Sequence, residues 1–295
     1  MNQNYRHSGR FTIGGIVLGL FVGIATGIPL AGLYGWGLPR IPEAKLCCIA
    51  TVIFGGSVGA LTALGLKWGK VRNPFLAGAV AVGVATLSFY CSWAFWVKNI
   101  LHLFAHQRAD ASFLMLHPDR LWYVVKLINH HGTWGLSGGS PEKGTMLWIV
   151  WAVEALTVVG LAGFAAVFLI RHMPFCETCD RWCKAHSLLL TAADDLAQLK
   201  TQIQNRDFSF LSNFAAGNKR ASHLAASLHT CPSCNQLNTL TLRQTQIVKR
   251  KFGSPGVKSF SLANNLLVSQ QEADAFRQAS LRLSQSAAAK AATAR

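Results

Sequence analysis

The sequence predicts an α-helical membrane bundle of four transmembrane helices, followed by a small cytoplasmic α+β domain resembling a zinc ribbon. Two observations carry this expectation: four long apolar runs, and two C-x-x-C pairs placed after the last of them. A helix needs roughly 20 apolar residues to cross the hydrocarbon core of a bilayer. Three runs, Phe11–Pro39, Leu46–Leu66 and Phe75–Val97, carry no charge, and a fourth, Met146–Ile170, carries only Glu154. The whole chain of 295 residues is 51% hydrophobic and 14% charged, so the charge is concentrated outside these runs. The expected organisation is a short N-terminus (1–10) and a membrane domain (11–171). A cytoplasmic domain (172–285) and a flexible tail (286–295) follow. Within the membrane domain the spans cover about 11–37, 46–66, 75–97 and 147–170.

Arg6 and Arg10 precede the first run, but that run is far longer than the 7–15 residue apolar region of a signal peptide, so it reads as an uncleaved anchor. Orientation follows from the short loops. Arg6, Arg10, Lys67, Lys70, Arg72 and Arg171 fall on one side, against Arg40 and Lys45 in the first loop. The positive-inside bias then puts both termini in the cytoplasm. Trp36, Trp93, Trp96, Trp148 and Trp151 fall at the opposite span ends, where an aromatic belt is expected.

Gly15, Gly19, Gly23 and Gly27 recur every four residues, which strips one helix face of side chains. Gly55, Gly59 and Ala63 repeat the device in the second span, and Ala79 and Gly83 offer it in the third. Such faces serve close packing within the chain or homo-oligomerisation. A pore is the weaker reading, since only Thr26, Ser57, Thr62 and Thr86 are polar there. Glu154 is the one ionisable residue well inside a span, and an intramembrane acid implies either a buried partner or a functional role.

The external loop, 98–145, holds five of the ten histidines. ILHLFAHQ extends the third helix and sets His102 and His106 at i, i+4, a metal-ligand spacing, with His117, His130 and His131 further along. Without a C-x-x-C pair or an H-E-x-x-H frame this is a weak external metal site. PDRLWYVVKLIN predicts an amphipathic helix opened by Pro118 and stopped by Gly132. Leu121, Val124, Val125 and Ile128 make its apolar face, and Trp122 and Tyr123 suit a headgroup boundary. The turn GLSGGS returns the chain to the membrane.

Cys176, Cys179, Cys231 and Cys234 are the candidate metal ligands. Two C-x-x-C pairs complete a tetrahedral shell of thiolates, which leaves no open position for substrate and so favours one structural zinc per chain. Cys183 and His186 are possible substitutes, and they keep a redox or iron–sulfur reading open. The 51 residues between the pairs imply a helical insertion: SLLLTAADDLAQLKTQIQ, with Leu189, Leu196 and Leu199 on one face, then DFSFLSNFAAG. LNTLTLRQTQIV alternates as a half-buried strand does, SFSLANNLLV reads as another, and a helix follows from about Glu272. Residues 172–295 carry 15 Lys and Arg against 7 Asp and Glu, with a basic patch at Arg243, Lys249, Arg250, Lys251 and Lys258. Anionic lipid is the expected partner of that patch. Nucleic acid is disfavoured, because the interleaved aromatics of a single-strand platform are missing.

GKVRN at 69–73, LWIVWAVEA at 147–155 and PFCETC at 174–179 resemble a type of bacterial multi-pass inner-membrane protein to which no activity is attached. The resemblance implies a bacterial inner membrane and a cytoplasmic zinc-ribbon-like tail, and it carries over no functional residue. No phosphate-binding glycine loop or paired carboxylates stand out, so an enzyme is disfavoured. The expected function is a non-enzymatic membrane scaffold, adaptor or sensor whose zinc-stabilised domain binds a protein partner. The alternatives are a small transporter or channel component using Glu154 and the external histidines, and a membrane redox or metal-handling protein.

Overall fold

The computed structural model describes residues 4–41, 43–133, 142–193, 195–218, 221–248 and 256–293. The chain divides into two compact units, Ser8–Arg171 and Met1–His7 together with His172–Arg295.

The first unit contains four helices long and apolar enough to cross a membrane: α1 (Ile13–Gly37), α2 (Ala44–Trp68), α3 (Pro74–Ala105) and α6 (Thr145–Arg171). Thr12 caps α1 by accepting from the Gly15 N–H, and Asn73 caps α3 through the Leu76 N–H, each satisfying an orphan donor of the first turn. Glycine sets the helix spacing. A Cβ built on Gly15 would sit 2.2 Å from Gly69 O, and one on Gly19 would sit 2.3 Å from a Leu66 methyl. Gly23 meets Thr62 and Gly27 meets Ser88, so the α1 stripe seats both α2 and α3. On α2, Gly55 and Gly59 seat α6: their Cβ positions fall 2.7 Å from Val158 O and 2.3 Å from Ala162 O. The glycine stripes are therefore used within the chain, which leaves those faces closed to a second copy. In α3 the packing face is one residue away from the expected one. Ala77, Gly78, Ala81 and Ala85 are buried, whereas Ala79 and Gly83 are exposed.

Between α3 and α6 the chain forms two short helices, α4 (Ala111–Leu116) and α5 (Pro118–His131). Only the second is anticipated by the sequence. Leu121, Val125 and Ile128 of α5 pack with Ala94, Val97, Leu114, Leu147 and Trp151, and Gly132 closes the helix at φ 85°. The tryptophans differ from a simple belt. Trp151 is buried and lies 4.9 Å from Trp93 and 5.1 Å from Trp148, centre to centre, while Trp36 stays exposed under the Arg40 guanidinium. The GLSGGS turn lies outside the described residues.

The second unit is built on a four-stranded antiparallel meander in the order β3 (Lys184–Thr191), β4 (His223–Thr230), β5 (Asn238–Val248), β6 (Gly256–Val268). A small hairpin, β1 (Phe175–Cys176) with β2 (Arg181–Trp182), precedes it. The helix α7 (Leu196–Gln204), a 3-10 turn at Ser209–Asn213 and the helix α8 (Gln270–Thr293) supply Leu199, Ile203, Phe208, Phe210, Leu211, Ala273 and Phe276 to the core. There they meet Leu190, Leu224, Leu228, Leu240, Leu242 and Leu266 of the sheet. Buried Gln244 is fully paired by a reciprocal bond with Ala193, donating to its carbonyl (3.0 Å) and accepting from its N–H (3.2 Å). Ser269 and Glu272 form a capping box on α8.

One expectation is corrected here. SLLLT is strand rather than helix: Leu189 lies in β3, opposite Ala225, and α7 starts only at Leu196. The segment from 286 continues α8 as far as Thr293.

The glycine contacts yield a test. Gly59→Val forces a side chain into the α6 backbone and should cost at least about 1–3 kcal/mol, read as a lowered thermal midpoint of the purified protein in detergent. Gly56→Ala, with no atom within 4 Å of its Cβ position, should leave the midpoint unchanged.

Candidate metal centre

The two C-x-x-C pairs sit in hairpin turns. Cys176 ends β1, and Cys179 stands in the turn before β2; Cys231 and Cys234 fill the turn between β4 and β5. The two turns share a backbone device. The residue after the second cysteine of each pair adopts the left-handed conformation, Asp180 at φ 51° and Asn235 at φ 53°. Asp and Asn tolerate that region because a short polar side chain can bond locally, so the working pattern is C-x-x-C followed by Asp or Asn. The second turn is tied by Asn235 N–H to Cys231 O (3.2 Å) and Cys231 N–H to Leu237 O (3.1 Å).

Strand pairing closes the 51-residue gap. Lys184 pairs with Thr230 at the end of β3 and β4, so the residue after Cys183 lies beside the residue before Cys231. The insertion is thus an excursion of strand, helix, 3-10 turn and strand that returns to its starting point.

All four sulfurs of Cys176, Cys179, Cys231 and Cys234 lie within 4.8 Å of one another, and this group can hold a metal ion. Cys176 and Cys234 are 3.7 Å apart, and all eight cysteines are free thiols. One thiol of each pair is buried, Cys176 and Cys231, and its partner is half-buried. Gln236 N–H donates to Cys234 Sγ at 3.5 Å and brings that thiol down to about 6, while hydrogen bonding with Cys234 pushes Cys179 up to about 12. Crowded thiols cannot all ionise together without a cation. A divalent ion removes the repulsion and draws all four to the thiolate form.

Cys183 and His186 stand outside the group. Cys183 is half-buried, donates its N–H to Pro174 O (2.9 Å), and is pushed up to about 12, first by burial and then by the neighbouring Cys231. His186 is exposed on β3.

A residue not singled out in the sequence completes the setting. The Tyr5 hydroxyl donates to Phe175 O (3.1 Å) and accepts from Phe175 N–H (3.0 Å), pairing with both backbone groups of the residue before Cys176. Tyr5 N–H donates to Asn265 O (2.8 Å), and Asn4 bridges Leu266. Asn4 and Tyr5 therefore hold the first cysteine hairpin against the end of β6. No local pattern announces this, because its partners are about 170 and 260 positions away.

The other sequence candidates separate. Glu154 Oε1 accepts from the Tyr34 hydroxyl at 2.5 Å, and that hydroxyl is also bonded to Thr51 Oγ1 at 2.7 Å, so the acid joins α1, α2 and α6. Thr26, Thr62 and Thr86 each donate to a carbonyl four residues back in their own helix. The expected His102–His106 pairing is corrected: α3 ends at Ala105 and His106 is its left-handed cap at φ 52°, which breaks the i, i+4 register. His117 and His131 bond back to Phe113 O and Leu127 O of their own helices. Among the described residues, no group of three or more potential ligands converges there. The basic patch is divided as well. Arg243 pairs with Ser261 and Lys258 with Gln246, an odd offset along β5 that puts the two cations on opposite faces of the sheet. Lys249, Arg250 and Lys251 lie outside the described residues.

Cys231→Ser should abolish metal retention, whereas Cys183→Ser should keep the full complement, measured as metal per chain by mass spectrometry. Acidification should release the metal as protons compete for the thiolates. Tyr5→Phe deletes the hydroxyl that pairs with Phe175 and should speed metal loss to a chelator while the resting metal content stays at the wild-type level. Glu154→Gln preserves an acceptor for Tyr34 and should leave thermal stability within about 0.5 kcal/mol; Glu154→Leu should cost about 1–2 kcal/mol. No protein-family model matches this chain, and neither the curated proteins nor the solved structures compared with it give a match.

Proposed function

We propose that this chain is a non-enzymatic integral membrane scaffold or adaptor whose zinc-clamped cytoplasmic domain binds a protein partner. The closed set of four thiols carries the reading. Zn–S bonds of about 2.3 Å give a tetrahedral sulfur–sulfur edge of roughly 3.8 Å, which the 3.7 Å between Cys176 and Cys234 fits. Soft thiolates in a tetrahedral arrangement suit zinc, and four of them leave no position for a substrate or an activated water.

Membrane insertion is supported by the outward side chains of the four long helices. Ile13, Val17, Phe21 and Leu33 of α1, Ile53 of α2, and Leu156 and Phe164 of α6 are more than half exposed, a surface that water would penalise and lipid would cover. Residues 4–7 and the chain from 172 onward belong to one compact unit, so an even number of crossings puts both on the same side. Arg10, Lys67, Lys70, Arg72 and Arg171 lie at the helix ends adjoining that side, and the positive-inside bias makes it the cytoplasm. In that reducing compartment thiols persist as metal ligands. Val257 of β6 is exposed on the outermost strand of the meander and offers an apolar side chain to a partner there.

Detergent-purified protein should contain about one zinc per chain and show no visible absorption. Bound iron with charge-transfer bands would instead move the chain to electron transfer or redox sensing. Reporter fusions at the two termini should both read out as cytoplasmic.

A further inference from the structure

The helical unit also contains an open groove between α5 and the start of α6. Its volume is about 690 Å³, within the range of small-ligand sites, and it is lined by Trp122, Lys126, Asn129, His130, Lys143, Gly144 and Trp148. Trp122, Lys126, Asn129 and His130 fall at i, i+4, i+7 and i+8, so α5 turns a single stripe toward it, next to the apolar stripe of Leu121, Val125 and Ile128. The opposite wall is the entry to α6. Two hydrogen bonds hold the walls together: Gly144 N–H to Asn129 O (3.2 Å) and Asn129 Nδ2 to Gly144 O (3.0 Å). The indoles of Trp122 and Trp148, 5.1 Å apart and tilted by 39°, form one side.

Among the described residues, two lysines and a histidine line the groove and no carboxylate does. Glu142 adjoins Lys143 in sequence but is absent from the lining. The first turn of α6 starts at Thr145 and contains no acid, so the positive end of the helix dipole adds to the same field. Lysine ammoniums with a helix N-terminus select phosphate, and the indole pair supplies a flat apolar wall beside it.

The geometry points to a binding site for a phosphate ester with an apolar or compact organic body, its phosphate held by Lys126, Lys143 and His130 and its body against Trp122 and Trp148. Two sources share that chemistry: the headgroup of an anionic phospholipid and a free phosphate monoester. The lipid source rests on the membrane placement proposed above, whereas the free ester does not.

The test uses the full-length protein in detergent and its Lys126→Gln/Lys143→Gln variant. Phosphatidylglycerol binding is counted by native mass spectrometry, with phosphatidylcholine as the zwitterionic control, and glycerol 3-phosphate binding is titrated separately. Both lysines are exposed, so the variant should keep the wild-type melting midpoint. The expected result is one tightly held anionic ligand, with affinity falling about tenfold or more in the variant. Selective loss of phosphatidylglycerol identifies the headgroup as the source, and selective loss of glycerol 3-phosphate identifies the soluble ester. Failure of both probes to bind, or equal binding by wild type and variant, would overturn the site. Both outcomes are independent of the zinc measurement, so a failed anion site leaves the scaffold reading standing.

Discussion

The convergence of four thiols from two hairpin turns is the constraint on which the second unit depends. Cys176 and Cys179 belong to a hairpin with strands of only two residues each, too short to be stable alone. It is held from two directions. Through the sulfurs it is joined to the turn between β4 and β5. Through Phe175 it is joined to Tyr5, whose backbone bonds the end of β6. The sheet in turn sets the sulfur positions, because the Lys184–Thr230 register determines where the chain leaves β3 and β4. A metal ion held by these four thiols would therefore support the same sheet that sets their positions.

In the helical unit, backbone contact does the corresponding work. Water-free helix association gains little from apolar transfer and much from close van der Waals approach. Gly15, Gly19, Gly23, Gly55 and Gly59 allow that approach, and any side chain there would overlap the neighbouring helix. The bond set of Tyr34, Thr51 and Glu154 adds a directional element at one level of the bundle. It gives the acid a partner on α1 and favours a structural role over a translocation path.

The two ends of the bundle also differ chemically. One carries the cationic residues that adjoin the thiol-bearing unit in sequence. The other carries five mutually packed or neighbouring indoles and a lysine-lined cavity.

Local spacing was enough to read much of this. The four long helices, the amphipathic α5 with its Pro118 start and Gly132 stop, the β5 and β6 strands and the two C-x-x-C pairs all follow from runs or periods shorter than about 30 residues. β3 is not legible locally, because Leu188–Leu190 is an apolar run without period, and such a run suits strand and helix equally until a pairing partner is known. β4 gives a weak local signal although Leu224, Ala226, Leu228 and Thr230 alternate, since its residues are small. Which glycine and alanine face of α3 is packed, which cations share a sheet face, and whether His102 and His106 meet depend on register and helix ends. Tyr5 and the closure of the insertion depend on pairs far apart in the chain. The sequence by itself determined the four long helices, α5, β5, β6 and the set of four cysteines, because each rests on the chemistry of near neighbours. Only the tertiary structure decided which surfaces meet, because that choice is made by sterics and hydrogen bonding between segments that no local pattern links.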